Sequence, residues 1–183
     1  TVAAPVTDVV APSERILKSY RRHRTLQLEP AQCHSLTGLD HHSFQDHDAI
    51  VFAGTRAHIC DFEHVAPAFA DVLRRHPNVR LTTFLKGHVP KVLKRLPNAN
   101  HMPPMNWQQY RRFVSANSYH IAVAPALPTA FNHARSISKL HDHAALGAAG
   151  IYTSQAPFDQ IVSHGHTGLL RGNNPAEWRD TLH

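Results

Sequence analysis

Ala49-Ile50-Val51-Phe52-Ala53 is an unbroken apolar run closed by Gly54-Thr55. No polar residue alternates with it, so neither face of a strand here can meet water. The run is also too short for a buried helix. A strand covered on both faces belongs inside a parallel sheet whose strands are joined by helical crossovers. Ile121-Ala122-Val123-Ala124 repeats the pattern before Pro125. Between and after these runs the apolar period changes from continuous to helical.

A helix is expected over residues 62–76, with Phe62, Val65, Phe69, Val72 and Leu73 on one face and Arg74, Arg75 and His76 at its C-terminal end. The next strand runs from Val79 to Leu85 and closes at Lys86-Gly87. Pro90 to Leu96 reads as a short basic helix or turn, and Asn100 to Met105 as loop or weak strand. Trp107 to Ala116 is a helix with Tyr110, Phe113 and Val114 inward. Strands follow at Ile151–Ser154 and 167–171, with a helix near Pro157–Val162 and a last one from Pro175 through Trp178. The fold class is therefore α/β, a Rossmann-like parallel sheet with helices on both faces. Ligands of such sheets sit beyond the carboxyl ends of the strands. Gly54-Thr55, Lys86-Gly87, Pro125–Asn132 and Thr153–Pro157 all fall on that edge.

Upstream, Val6–Ala11 reads as a strand and Pro12 opens a helix with Ile16, Leu17 and Tyr20 on one face. Leu26-Gln27-Leu28 is extended, and residues 31–48, rich in His, Asp and Ser, are loop or linker. The chain starts at Thr1 and stops inside a helical pattern, so it is expected to be one piece of a longer protein.

The 183 residues carry a net charge of +6 with 17 His in reserve, which favours anionic ligands: a nucleotide, a phosphosugar, nucleic acid or an anionic membrane surface. A composition 42% hydrophobic and 17% charged excludes a disordered or fibrous chain. No apolar run approaches the roughly 20 residues of a membrane span. Cys33 and Cys60 have no metal-type spacing and read as reduced thiols in a cytosolic protein. His34, His41, His42 and His47, with Asp40, Asp46 and Asp48, match no closed metal motif and read as a solvated loop. His141/His143 and His164/His166 are two apart and point away from each other on a helix.

The densest chemistry lies in Phe131–Gly150. Arg135 and Lys139, four apart, are expected to share one helix face, where like charges repel unless an anion lies near. Asp142, three beyond Lys139, is placed to pair with it. The small residues Ala144–Ala148 pack this helix closely, which points to a phosphate at its mouth. Gly54-Thr55 taken alone is a plain turn; no GxGxxG and no Walker lysine motif is present. Asp61 and His58 are both placed to meet a substrate hydroxyl; Asp61 equally caps the helix at Phe62, and for His58 the solvent is the preferred reading.

Gly54-Thr55 with His58 and Asp61, the strand end from Pro77 to Gly87, IAVAPALPTAFNHARS, Lys139 and Asp142 before AALG, TGLL and NPAEW combine into a pattern. Over residues 49–183 it resembles the C-terminal domain of GT-B-type glycosyltransferases, the retaining family called glycosyltransferase group 1 in particular. The resemblance implies one half of a GT-B fold that binds a nucleotide-diphosphate sugar. Residues 1–25 would be the tail of the N-terminal acceptor domain and 26–48 the linker. It implies catalytic roles for Arg135 and Lys139 at the donor diphosphate. Asp142 would meet the ribose hydroxyls, and Gly54, Thr55, Asn132 and Ser136 would complete the donor site. No metal and no separate cofactor is implied, because the cations and a helix N-terminus carry the charge. Implied partners are the donor, a saccharide or glycolipid acceptor and the missing N-terminal domain, with peripheral membrane contact through the basic segments Arg21–Arg24 and Lys91–Arg95 as a secondary option; nucleic acid is not implied. The implied location is the cytoplasm, at the inner membrane face where such contact is made. Departures from the family pattern are Ala134 where an acid is usual, Asp142 for Glu, His143 for an aromatic, and Ala149-Gly150 where Pro is common. Two other readings are a GT-B-like nucleotide-sugar epimerase and a catalytically degenerate binding module.

Overall fold

The computed structural model describes residues 8–11, 18, 24–27 and 48–183. Two short strands, β1 (Asp8–Ala11) and β2 (Arg24–Gln27), pair in parallel. The expected helix from Pro12 lies outside the described residues except for Lys18, which is helical; most of the expected linker lies outside them too.

The main body is a six-stranded sheet in the order β5-β4-β3-β6-β7-β8, and every pairing in it is parallel. Its strands are β3 (Asp48–Phe52), β4 (Val79–Thr83), β5 (Ala99–His101), β6 (Ile121–Ala124), β7 (Ala149–Thr153) and β8 (Leu169–Arg171). The chain starts at the centre, moves to one edge, returns and moves to the other. That is the doubly wound Rossmann order, with its crossover point between β3 and β6. Ile50 pairs with Leu81 on one side and Ile121 on the other, so the apolar run is the middle of the sheet.

Alternate residues of β3 feed opposite cores. Ile50 and Phe52 pack with Phe62, Val65, Phe69 and Val72 of α1 (Ile59–Arg75) and with Trp178 of the last helix, α5 (Pro175–Leu182). Val51 and Ala53 face Val114 of α2 (Trp107–Ala116), Tyr119 and Leu146. Phe52 stacks on Phe62 at 4.2 Å between ring centres. Burying side chains of this size contributes about 1.5–3 kcal/mol each. α2 is closed by a capping box between Asn106 and Gln109, and α5 by the Asn174 side chain with Pro175 behind it.

Several boundaries differ from the sequence expectation. α1 begins at Ile59, after a 3-10 turn at Arg56–His58, rather than at Phe62. β7 begins at Ala149, because pairing with Ile121 and Ala122 draws Ala149-Gly150 into the sheet. Residues 91–95 form hydrogen-bonded turns, and the expected helix near Pro157 is a single 3-10 turn at Phe158–Gln160. The largest departure is in Phe131–Gly150, which is not one helix. It folds as α3 (Ala130–His133), a turn through Ala134 and Arg135, and α4 (Ser138–Ala145). Arg135 and Lys139 therefore do not share a helix face. Thr129 caps α3 by accepting from Asn132 N–H, which stops α3 from growing out of the preceding turn.

Two glycines have a common cause. A Cβ on Gly54 would lie 2.1 Å from the Phe52 ring, and one on Gly150 would lie 2.1 Å from the Tyr152 hydroxyl. Residues two apart on a strand share a face, so each glycine makes room for the aromatic ring of its neighbour.

Candidate functional site

The loops that follow β3, β6 and β7 meet at the carboxyl edge of the sheet, and Asp61 in the first turn of α1 is where they are tied. It is 5% exposed. Its Oδ1 accepts from Leu127 N–H at 2.8 Å and from the Asn132 amide at 2.7 Å, and its Oδ2 lies 3.3 Å from His58 Nδ1. Asn132 also donates to the Leu127 carbonyl at 2.9 Å, as does Gln155 at 3.0 Å, while Ala126 N–H donates to the Thr153 hydroxyl at 2.7 Å. One carboxylate thus fixes the loop after β6, and the end of β7 fixes the same loop from the other side. Burial alone raises the Asp61 pKa. Hydrogen bonds from His58, Leu127 and Asn132 outweigh it and hold the carboxyl below its ordinary value.

This corrects two expectations. Asp61 is not the cap at Phe62: the helix starts two residues before it, and its carboxylate bonds a distant loop instead. His58 is not at the solvent, since its side chain is 12% exposed. Burial lowers the His58 pKa, the Asp61 hydrogen bond opposes this, and the charges of Arg135 and Lys139 lower it further; the net shift is downward.

Lys139 and Asp142 form the second knot. Lys139 Nζ donates to the Ala53 carbonyl at 2.6 Å and to Asp142 Oδ2 at 2.9 Å. The expected pair is present, with side chains only 15% and 8% exposed, so it is not a surface bridge. It pins α4 to the end of β3. The Tyr110 hydroxyl of α2 lies beside Asp142, and burial, the Asp142 charge and the contact between the two side chains push the phenol pKa up.

The remaining candidates occupy this edge in different ways. Arg135 is half-buried, with Nη1 3.4 Å from Asn132 Oδ1, and burial lowers its pKa against the opposing charge of Asp61. Ser136 Oγ lies 3.4 Å from Ser138 N at the start of α4, whose N-cap Ile137 offers no capping side chain. Thr55 is exposed, and the Phe52 ring fills the space beside Gly54. Asn132, Arg135, Lys139 and Asp142 thus stand on two linked networks. The sequence places Thr153 and Gln155 on this edge and Tyr110 inward, but not the bonds of the first two to the loop after β6 or the approach of the third to Asp142. Thr153 and Gln155 carry a usable signal, a polar pair directly after an apolar strand.

Two cavities among the described residues lie away from this edge. One, of about 470 Å³, lies between α4 and the segment before β8, lined by Leu140, His143, Tyr152 and Ile161 among others. The other, of about 440 Å³, opens beside Pro77, Arg80 and Asn98, ahead of β4 and β5. The carboxyl edge carries the convergent polar groups. No described helix is long and apolar enough to cross a membrane.

No family model and no curated protein sequence matches the chain. Solved structures do. One is a protein assigned as a UDP-N-acetylglucosamine 2-epimerase from Listeria monocytogenes, with TM-score 0.52 and 10% identity over 74% of this chain and 36% of that one. Another is a glycosylation-associate protein complex from Streptococcus agalactiae, with TM-score 0.54 and 8% identity over 97% of this chain and 38% of that one. The chain therefore spans little more than a third of the structures it matches. At such identities the likeness shows the fold alone, a Rossmann-like parallel α/β sheet.

Proposed function

We propose that this chain is the nucleotide-sugar-binding half of a GT-B-type glycosyltransferase, with residues 49–183 as the donor domain. The observation that carries the reading is the convergence of Lys139, Arg135 and Asp142 beside the β3–β6 crossover point, where doubly wound sheets bind nucleotides. An ammonium has three N–H groups. Lys139 uses two on Ala53 and Asp142, which leaves the third to face a diphosphate oxygen. The Arg135 guanidinium adds a fork suited to phosphate. In this reading both stabilise the departing nucleoside diphosphate, so the transfer needs no metal, and retention of configuration is carried over from the family resemblance alone. Asp142 takes the ribose, and Gly54, Thr55, Asn132 and Ser136 line the donor. The acceptor, a saccharide or glycolipid, sits on a preceding domain, of which residues 1–25 form the tail and 26–48 the linker. In this reading the activity belongs to the cytoplasm, with membrane contact as the secondary option.

An epimerase is the second reading. It gains from the assignment of one matched structure and from the buried Asp61–His58 pair, an acid–base couple on the same edge.

Thermal unfolding of the chain with UDP, GDP or ADP tests the shared premise. A ligand at 100 times its Kd stabilises by about 2.7 kcal/mol, a rise of about 5–10 °C for a chain of this size. An unchanged midpoint with all three nucleotides overturns donor binding.

A further inference from the structure

Resting on the donor-site reading, we infer that His58 Nε2 is a hydrogen-bond acceptor for a hydroxyl of the donor's sugar ring, with Asp61 as its positioning residue and the exposed Phe131 ring as the apolar wall beside it.

The geometry supplies three parts of a carbohydrate subsite. The first is an oriented acceptor. An ionised Asp61 can only accept, so the proton of a neutral His58 must sit on Nδ1 and face Oδ2 at 3.3 Å. Nε2 then carries the lone pair, and the one side-chain hydrogen bond of His58 among the described residues is made by Nδ1. The tautomer is held firmly because Asp61 is itself fixed by Leu127 and Asn132. The second part is the charge around the ring. Arg135 and Lys139, from the turn after α3 and from α4, act on His58 together with Asp61, and with burial they favour the neutral, accepting form. The third is Phe131. It is 59% exposed, and its centroid lies 6.3 Å from that of His58. A sugar ring has an apolar C–H face and hydroxyl edges. It can lie on Phe131 and present a hydroxyl to Nε2, while the cations hold the diphosphate to which it is attached.

The test measures the sugar's own contribution to binding. Kd is determined by calorimetry for UDP, GDP, UDP-glucose, UDP-N-acetylglucosamine and GDP-mannose, with wild type, His58→Phe and His58→Gln. The expected result is a nucleotide sugar that binds about tenfold tighter than its diphosphate in wild type, with that preference lost in His58→Phe and diphosphate binding within twofold of wild type. Imidazole ¹⁵N spectra supply a readout that packing alone does not move. The Nε2 resonance of His58 starts at the position of an unprotonated nitrogen and shifts with the nucleotide sugar but not with the diphosphate; in Asp61→Asn the starting tautomer is lost. A sugar preference that survives in His58→Phe, or an Nε2 resonance that responds equally to both ligands, overturns the inference. Diphosphates that bind while no nucleotide sugar gains affinity overturn it too and leave the donor-site reading standing. No binding of any nucleotide overturns both.

Discussion

Asp61 and Asp142 are both buried carboxylates at one sheet edge, held in opposite ways. Asp61 is surrounded by backbone and side-chain amides and a neutral imidazole, and its removal disassembles a loop. Asp142 is held by a lysine that is itself anchored to the Ala53 carbonyl, so its pair can be replaced as a unit. A polar hub of many neutral donors is structural first. A lysine–carboxylate pair beside an open surface keeps charge in reserve for a ligand.

The largest effect is expected for Asp61→Ala. It strands the Leu127 N–H and the Asn132 amide. At about 1–3 kcal/mol for each of the two unsatisfied groups, it costs roughly 2–6 kcal/mol in urea unfolding. A cost below about 1 kcal/mol breaks the contrast.

Next comes Lys139→Met, which leaves Asp142 without its cation and costs about 2–3 kcal/mol, at the lower side of the range for broken buried pairs because the lysine is 15% exposed. Adding Asp142→Leu restores most of that loss, since an apolar pair of similar volume packs about as well. Absence of rescue would assign Asp142 the same structural weight as Asp61.

The acid limb comes third. His143, 1% exposed, bonds the Tyr152 hydroxyl at 3.0 Å, and burial, aided by the Lys139 charge, brings its pKa down to about 3. The folded state thus binds fewer protons than the unfolded chain between the ordinary value of about 6.5 and the folded one. Stability is fully present above the ordinary value and falls as pH drops through that window, by up to about 1.4 kcal/mol per pH unit. His143→Phe removes this slope. At pH 7 it costs about 1 kcal/mol for the lost hydrogen bond; by pH 4.5 the variant is the more stable protein in denaturant titrations. Parallel pH profiles for the two proteins contradict this.

The smallest effect is expected at Tyr110→Phe. The hydroxyl lies beside the Asp142 carboxylate, so its loss changes stability by at most about 1 kcal/mol.

The sheet was legible because Ala49–Ala53 and Ile121–Ala124 are apolar without alternation, a pattern that the central strands of a parallel sheet require. α2 was legible to its ends because Asn106 and Gln109 form a capping box that depends only on local sequence. In Phe131–Gly150 the sequence predicts an opening turn and then a single helix that carries both Arg135 and Lys139. The helix is interrupted at residues 134–137, after α3, whose Asn132 is held by Asp61, 71 positions earlier. Helix starts shifted for the same reason: the Asp61 carboxylate was available for a cap until the fold brought Leu127 to it. Lys139 with Asp142 followed from spacing, whereas the Ala53 carbonyl that completes the knot is 86 positions away and has no local sign.

The most direct test of the account is where a nucleoside diphosphate binds. Amide resonances of the chain are followed during titration with UDP and, separately, GDP. The account predicts shifts at Gly54–Asp61, Leu127–Asp142 and Thr153–Gln155, on the carboxyl edge of the sheet. Shifts confined to the cavity beside Tyr152 and Ile161, or to the opposite edge at Arg74 and Arg80, would contradict it.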